Sequence, residues 1–246
     1  MKIFVTGAGG FIGGSVAMRL RAQGHDILGL VRNDVAASRL AQNGIEPVMG
    51  NLDDTDLLIQ LARSSDAVIN TANADHVGSV LALLEGLRGS GKPLLHTSGS
   101  SVVGDDARGG FCSPHVFDEQ TPWVINPFKQ ARRDIDLLVL SGVNDGIKTA
   151  VICPSLIYGA GSGLNPSSVQ IPFLAANARE HGVGHREALD LPLEGGQGLA
   201  DGVQHVHGQA GLLGVGQIGE VHAGLVAGQH IAERGTLLAF DEVTHQ

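Results

Sequence analysis

The stretch that decides the fold is Lys2-Ile3-Phe4-Val5-Thr6, followed at once by Gly7-Ala8-Gly9-Gly10-Phe11-Ile12-Gly13-Gly14. The first five residues are mostly apolar and predict a buried strand, and residues 15–21 have the apolar spacing of a helix. A glycine pattern between a strand and a helix predicts a nucleotide-binding turn far better than the glycines alone would. The alternative interpretation is an ordinary glycine-rich connection between strand and helix.

The glycines of this turn have separate roles in nucleotide binding. Gly7 permits the tight turn, Gly10 allows a pyrophosphate to approach the backbone, and Gly13 allows the helix to pack closely on the strand. The free N–H groups at the start of the helix then face the phosphates, and the helix dipole favours their charge. The predicted cofactor contacts of the turn are Gly7, Gly9, Gly10, Phe11, Ile12 and Gly13.

Composition restricts the class of protein. With 246 residues and 43% hydrophobic residues, the chain can bury the core of one α/β domain with a small appendage. Its net charge of −9 argues against nucleic acid as a partner. The cysteines are Cys112 and Cys153, the latter in an apolar run that predicts burial, so we expect a reducing compartment. The chain starts directly in the strand and has no apolar run long enough for a bilayer, so we expect a cytoplasmic protein that contacts no membrane.

Apolar runs and helical patterns alternate along the next 150 residues. Further strands are predicted at Asp26–Val31, 45–49, Ala67–Asn70, Pro93–Thr97 and 148–153, and helices at 35–42, 56–63, Val77–Leu87 and 128–140. Strands that are apolar throughout predict a parallel sheet covered on both faces, and right-handed crossovers give the doubly wound order. We therefore expect a Rossmann-type doubly wound parallel sheet over residues 1–160 and a small, atypical C-terminal segment over residues 161–246.

Ligands of such a fold bind outside the carboxyl ends of the strands, so the residues there are candidate contacts. Arg32 follows the second strand, where a base accommodates the 2′-phosphate of NADP; the alternative is a solvated arginine. Asn51 and Leu52 follow the third strand, where a polar side chain could meet the adenine edge or merely turn the chain and cap a helix. NADP(H) is the preferred cofactor and NAD(H) the alternative.

The fourth and fifth strands end in small and hydroxyl-bearing residues. Thr71, Ala72 and Asn73 leave room for a cofactor to approach the backbone. The fifth strand ends in Thr97 and a serine-rich turn with Ser98 and Ser100, where substrate chemistry is expected, although serines in such turns often only form the turn.

Several stretches together resemble the extended short-chain dehydrogenase/reductases, also called NAD-dependent epimerase/dehydratases. The matching stretches are Thr6-Gly7-x-x-Gly10-x-x-Gly13, Gly50-Asn51-Leu52-Asp53, Thr97-Ser98-Gly99-Ser100-Ser101-Val102-Val103-Gly104, Asp118-Glu119-x-x-Pro122 and Cys153-Pro154-Ser155-Leu156-Ile157-Tyr158-Gly159. They follow the family's order and cover residues 1 to about 180. The resemblance implies a nicotinamide cofactor, with Thr97 and Pro154 among its contacts, and a C-terminal lobe that holds the substrate.

The resemblance also implies a serine or threonine and a Tyr-x-x-x-Lys pair one helical turn apart, in which the tyrosine moves the proton. This chain departs from that pattern. Its only tyrosine, Tyr158, belongs to another motif, where we expect it to pack or to line the pocket. The best register places Phe128 and Arg132 at the two positions, with Asp136 at the family's acid; a shift of one residue gives Lys129 and Arg133.

Neither register supplies a phenol, and Gly99 falls at the position of the catalytic hydroxyl. The candidate catalytic residues are therefore Ser98, Ser100, Lys129 and Arg132, and Arg132 could instead hold the cofactor ribose. We expect an oxidoreductase or epimerase-like protein that acts on a small carbonyl, hydroxyl or nucleotide-sugar-like substrate. The alternatives are a cofactor-binding regulator similar to the NmrA-like branch, or a truncated relic without the substrate lobe.

From about residue 183 the composition changes to frequent glycine and histidine with few aromatic residues, which makes a packed core hard to build. We hypothesise that this tail does not derive from the family's substrate lobe and arose through a frameshift. Its second glycine pattern, Gly214 to Gly219, follows a poor strand and is not predicted to bind a nucleotide. Its histidines His205, His207, His222 and His230 lack a recognised ligand spacing, so no metal site is predicted. A homodimer is an expectation from the resemblance alone.

Overall fold

A computed structural model describes residues 1–104, 117–118, 120–122 and 124–181 of the chain. Cys112, the tail from residue 183 with its second glycine pattern, and the tail histidines lie outside the described residues. The predicted division into residues 1–160 and 161–246 is therefore still a prediction.

Strands and helices alternate along the described chain. The strands are β1 Lys2–Thr6, β2 Asp26–Val31, β3 Glu46–Met49, β4 Ala67–Asn70, β5 Pro93–Thr97 and β6 Lys148–Ile152. The α-helices are α1 Phe11–Ala22, α2 Asp34–Gln42, α3 Thr55–Ser64, α4 Val77–Leu87, α5 Gln130–Ser141 and α6 Gln170–His181. Short 3₁₀ helices cover Ser100–Val103, Pro127–Lys129 and Gly142–Asp145.

The six strands form one parallel sheet in the order β3-β2-β1-β4-β5-β6. This is the predicted Rossmann-type doubly wound order. Strands are added on one side of β1 up to β3 and then on its other side from β4 onward, so the strand order reverses between β1 and β4. Buried Phe4, Leu83 and Val139 belong to the core between the sheet and the α3–α5 side, and buried Val5 and Leu40 belong to the core on the α1–α2 side. The carboxyl ends of all six strands therefore meet at one edge.

Two predicted helices differ from those observed. The helix predicted at 15–21 begins at Phe11, because Gly13 and Gly14 lie inside α1 and hide its apolar spacing. The helix predicted at 128–140 is a 3₁₀ turn, Pro127–Lys129, that leads into α5.

The prediction that Cys153 is buried was wrong, because this residue is exposed. It follows β6, which is an edge strand of the six-stranded sheet that the described residues form. Within the described ranges, no helix combines the length and apolar character needed to cross a membrane, and no group of three metal-ligating side chains converges.

Candidate cofactor and catalytic site

The turn after β1 is shaped by two glycines that no larger residue could replace without displacing the backbone. Gly7 has φ +72°, and a Cβ there would lie 2.7 Å from the Thr71 carbonyl oxygen. A Cβ on Gly13 would lie 2.2 Å from the Thr71 hydroxyl oxygen and 2.3 Å from the Gly7 carbonyl oxygen. The first turn of α1 is thus pressed against the ends of β1 and β4.

The other face of the turn is open. A Cβ added to Gly9 would have no heavy atom within 4 Å, so this part of the backbone borders empty space. Gly10 is the N-cap of α1, with no side-chain cap and no acidic residue in the first turn. The first N–H groups of a helix lack intrahelical acceptors, so this helix start offers donors and a positive dipole end to an anion. A pyrophosphate fits these residues.

A buried polar chain links β1, β4 and β5 beneath the turn. The Thr6 hydroxyl donates to Asn70 Oδ1 at 2.5 Å, and Asn70 Nδ2 lies 2.9 Å from His96 Nδ1. The amide orientation makes Nδ1 the acceptor, which leaves the proton on Nε2, an atom without a partner among the described residues. Burial lowers the pKa of His96, so the ring is neutral. The Thr71 hydroxyl donates to the Thr6 carbonyl oxygen at 2.6 Å and joins the chain to the turn after β4.

Arg32 and Asn51 lie at the ends of β2 and β3. Arg32 is exposed and makes no hydrogen bond or ion pair with any other residue that the structure describes. Asn51 turns the chain, because its Oδ1 accepts from the Asp53 N–H at 2.7 Å and its own N–H donates to Asp54 at 2.7 Å. Leu52 packs partly buried against the core. These contacts favour the turn-forming interpretation of residues 51–53.

Arg132 connects three segments at the carboxyl edge. Its guanidinium binds the Asp75 carboxylate through two nitrogens, with Nε at 2.8 Å from Oδ1, and its Nη1 donates to the Ser101 hydroxyl at 2.9 Å. The hydrogen bond from Arg132 holds the pKa of Asp75 below its usual range. A Cβ on Gly99 would lie 3.5 Å from Arg132 Nη1, which places the family's hydroxyl position directly beside this guanidinium. The register that pairs Phe128 with Arg132 is thus the one that brings the arginine to the serine turn.

Asp75 was missed by the sequence analysis. It lies two residues after Asn73, whose Oδ1 accepts from the Asp75 N–H at 3.0 Å, in a turn of small residues. Its position just past the carboxyl end of β4 is the one signal that could have marked it.

A second buried group lies between α5 and the ends of β5 and β6. The Ser98 hydroxyl and both carboxyl oxygens of Asp136 are buried without a hydrogen-bond partner among the described residues. Burial raises the pKa of Asp136; the neighbouring Ser98 hydroxyl opposes that rise, although no hydrogen bond of normal geometry joins them. The Cys153 thiol lies beside the same group, and desolvation raises its pKa even though the residue as a whole is exposed.

The remaining candidates occupy the same edge of the sheet. Ser100 begins the 3₁₀ helix after β5, and its N–H donates to the Pro154 carbonyl oxygen at 3.0 Å, which ties the ends of β5 and β6 together. Thr97 and Ala72 are half-buried at the ends of β5 and β4. Tyr158 is 57% exposed, so it does not pack into the core of the described residues, and its place in the lining of a pocket is still a prediction.

Phe128 and Lys129, which take the tyrosine position in the best and in the shifted register, differ in exposure. The Phe128 side chain is 91% exposed, whereas Lys129 is only 7% exposed. Lysine is almost never this buried unless its ammonium is paired. The 3₁₀ turn therefore brings a cation, not a ring, into the interior of the site.

The segment after β6 returns to the nucleotide turn. A Cβ on Gly163 would lie 2.4 Å from the Gly14 carbonyl carbon, so the two backbones are in direct contact. The Ser162 N–H donates to the Ser15 hydroxyl at 3.2 Å, and Arg39 donates to the Leu164 carbonyl oxygen at 2.6 Å. We call residues 161–164 the strap; it covers the first turns of α1.

The sheet order, the glycine turn and the bare helix start define a dinucleotide-binding Rossmann domain. The model of the NAD dependent epimerase/dehydratase family matches residues 3–195. The chain therefore belongs to that family, which binds NAD(P) and acts on small molecules. The match extends past residue 183 into the start of the tail.

Relatives with assigned names resemble the same part of the chain. Oxidase ucsJ of Acremonium sp is 37% identical over 181 residues, which are 66% of this chain and 52% of that protein. A 4-hydroxy-2-methyl-3-oxo-4-farnesyl-3,4-dihydroquinoline-1-oxide ketoreductase of Stigmatella aurantiaca is 28% identical over 65% of this chain and 51% of its own length. The chain thus spans about half the length of these relatives.

Among solved structures, UDP-glucose 4-epimerase from Bifidobacterium longum in complex with NAD+ and UDP is similar, with a TM-score of 0.56 and 17% identity. The similarity covers 76% of this chain and 64% of the epimerase. At this identity the likeness concerns the fold.

Proposed function

We propose that the protein is an NADP(H)-preferring oxidoreductase of the epimerase/dehydratase family that acts on a small carbonyl or hydroxyl substrate. The observation that carries this proposal is the open glycine turn at Gly9 and Gly10, where the uncapped start of α1 meets empty space. Bound there, the cofactor would supply or accept a hydride. A nucleotide sugar is the second substrate class within the same proposal.

The preference for NADP(H) rests on Arg32. Its side chain is exposed at the end of β2 and is not engaged by another described residue, so it can pair with a 2′-phosphate. A hydrogen bond to a charged group contributes about 1.5–3 kcal/mol, which corresponds to a binding preference of roughly tenfold or more. Fluorescence titration should give tighter binding of NADPH than of NADH, and Arg32→Asp should invert the order. Equal affinities in the wild-type protein would remove the proposal of NADP(H) preference.

Turnover is tested separately from binding. A screen of aldehydes, ketones and nucleotide sugars should reveal substrate-dependent oxidation of NADPH, followed by its absorbance. Cofactor-bound, folded protein without any turnover would instead support a binding protein that acts as a regulator. The observation that favours this second candidate is the absence of a phenol at position 128.

Assembly and location are part of the proposal. The outer face of α4 exposes Val77 and Leu81, and that of α5 exposes Leu137 and Leu140, so a homodimer could bury these side chains. Light scattering after size exclusion should give twice the chain mass, and Leu81→Asp should return the monomer. A cytoplasmic location is supported by the presence of two cysteines only, which argues against a disulfide framework.

A further inference from the structure

Lys129 is a largely buried lysine at the carboxyl edge of the sheet. Its side chain is 7% exposed, and its ammonium forms no hydrogen bond or ion pair within the part of the chain that the structure describes. Its ammonium nitrogen is not among the fully buried polar atoms without a partner, so the stem is buried while the charged head reaches water. A buried stem fixes the position of the ammonium at the edge of the site, where a ligand can meet it.

The ammonium lies at the cluster already described. Lys129 precedes Arg132 by three residues, so both side chains share one face of the 3₁₀ turn and α5. Arg132 lowers the pKa of Asp75 most, through its hydrogen bond and then through its charge, and the charge of Lys129 lowers this pKa further. Lys129 therefore lies within reach of the Asp75 charge, three residues before the arginine that binds Asp75 and Ser101.

The two residues in the family's tyrosine and lysine register, and the position of its hydroxyl, offer no free donor to a substrate oxygen. Arg132 is bound to Asp75 and Ser101. Position 99 has no side chain, and the Phe128 ring is turned outward. Among the described donors with uncommitted protons, the Lys129 ammonium is the one that carries a positive charge, whereas the Ser98 hydroxyl and the His96 Nε2–H are neutral and buried.

We propose that the Lys129 ammonium binds the carbonyl oxygen of the substrate and gives it a proton, in the place of a phenol. This inference rests on the proposed function. In the reduction, the carbonyl carbon would gain a hydride with its electron pair, which a bound reduced nicotinamide would supply, and the π electrons would pass to the oxygen. The oxygen takes a proton from Lys129, and the resulting amine regains a proton from water. Asp75 and Arg132 are positioning residues, because they fix the start of α4 against α5 beside the ammonium.

The first test compares Lys129→Met and Lys129→Gln with Lys148→Met, which replaces an exposed lysine at the amino end of β6. General acid catalysis contributes about 10²–10⁴-fold, so kcat with the best aldehyde or ketone of the screen should fall by that factor in both Lys129 variants. The dissociation constant of NADPH should stay within about twofold of the wild-type value. A tenfold change would correspond to a change in binding free energy of about 1.4 kcal/mol. Lys148→Met should match the wild-type protein in every assay.

The second test does not depend on turnover. The lysines of the chain are Lys2, Lys92, Lys129 and Lys148, so [ε-¹³C]lysine labelling gives four signals that the variants assign. Adding 4-nitrobenzaldehyde or ethyl acetoacetate to protein saturated with NADP+ should shift the Lys129 signal and leave the Lys148 signal in place.

Each outcome decides the matter. Wild-type turnover with unchanged kcat in folded Lys129 variants would overturn the inference and leave the proposed function intact. Loss of NADPH binding in those variants would assign Lys129 to the cofactor instead and would also overturn it. A wild-type protein that binds NADPH but reduces no carbonyl would reject the proposed function as well. If both variants unfold, a Lys129 signal that neither carbonyl compound shifts rejects the inference.

Discussion

Replacement of Gly9 by alanine separates cofactor binding from folding. A Cβ at this position would meet nothing within 4 Å, and the backbone φ of Gly9 lies outside the left-handed range. The substitution therefore introduces neither a clash nor backbone strain. The new methyl group instead enters the space that a pyrophosphate needs beside the start of α1.

The expected change in binding free energy is several times larger than the expected change in the free energy of unfolding. Surface substitutions without a clash change the free energy of unfolding by about 0.5 kcal/mol or less. Displacing the phosphate from one N–H donor removes a charge-assisted hydrogen bond of about 1.5–3 kcal/mol, which weakens NADPH binding by roughly 10- to 150-fold. Gly9→Ala should thus unfold like the wild-type protein and bind NADPH poorly.

The assay combines thermal unfolding with NADPH titration by fluorescence, and Gly13→Ala is the matched control. There a Cβ would lie 2.2 Å from the Thr71 hydroxyl and 2.3 Å from the Gly7 carbonyl oxygen, so the control should lose about 1–3 kcal/mol of stability as well as binding. Wild-type affinity in Gly9→Ala would refute the placement of the phosphates at this turn. If Gly9→Ala lost as much stability as Gly13→Ala, the conclusion that the space beside Gly9 is open would be refuted.

Three further substitutions test the groups around the site through stability. The folded pKa of Asp75 is lowered, so the stability that its carboxylate contributes is present at neutral pH and is lost as pH falls through the folded value. Asp75→Asn should lower the free energy of unfolding by about 1 kcal/mol at pH 7, because an ion pair that is partly exposed contributes little more than this. Urea titrations in acid should show no difference from the wild-type protein. Burial raises the folded pKa of Asp136, so the stability that its carboxyl contributes is full below the ordinary aspartate pKa and is lost as pH rises through the higher folded value. Asp136→Asn should therefore raise the free energy of unfolding at pH 7 by about 1–2 kcal/mol, and urea titrations should show this gain shrinking as pH falls. Gly163→Ala should lower the free energy of unfolding by about 1–3 kcal/mol, and with it the melting temperature, because the new Cβ would meet the Gly14 backbone. An unchanged melting temperature would contradict the close contact between the strap and α1.

Apolar runs in the sequence located the sheet with little error. The predicted strands Lys2–Thr6, Asp26–Val31 and Pro93–Thr97 are confirmed residue for residue. Buried parallel strands are apolar on both faces, and turn residues bound them, so their sequence signal is strong. The helix α6 was not predicted, because its apolar residues do not form a clear stripe.

The site was harder to predict, because its contacts join residues that are distant in sequence. Arg132 and Asp75 are 57 residues apart, and neither has a local pattern that indicates the other. The burial of Lys129 and the exposure of Phe128 depend on a single 3₁₀ turn, which rotates the two side chains relative to a regular helix. Chain position at the carboxyl edge identified the region, and three-dimensional packing decided which side chains face it.

The contact between the strap and α1 has a consequence for the order in which the protein is made. The Ser162 N–H and the Ser15 hydroxyl that it meets are 147 residues apart in the chain. At ribosomal rates of about 5–20 residues per second, α1 leaves the exit tunnel on the order of 10 s before the strap is synthesised. During vectorial synthesis the glycine turn therefore emerges with the backbone of Gly14 uncovered. The nascent nucleotide site reaches its final packing only after β6 and the strap have been translated.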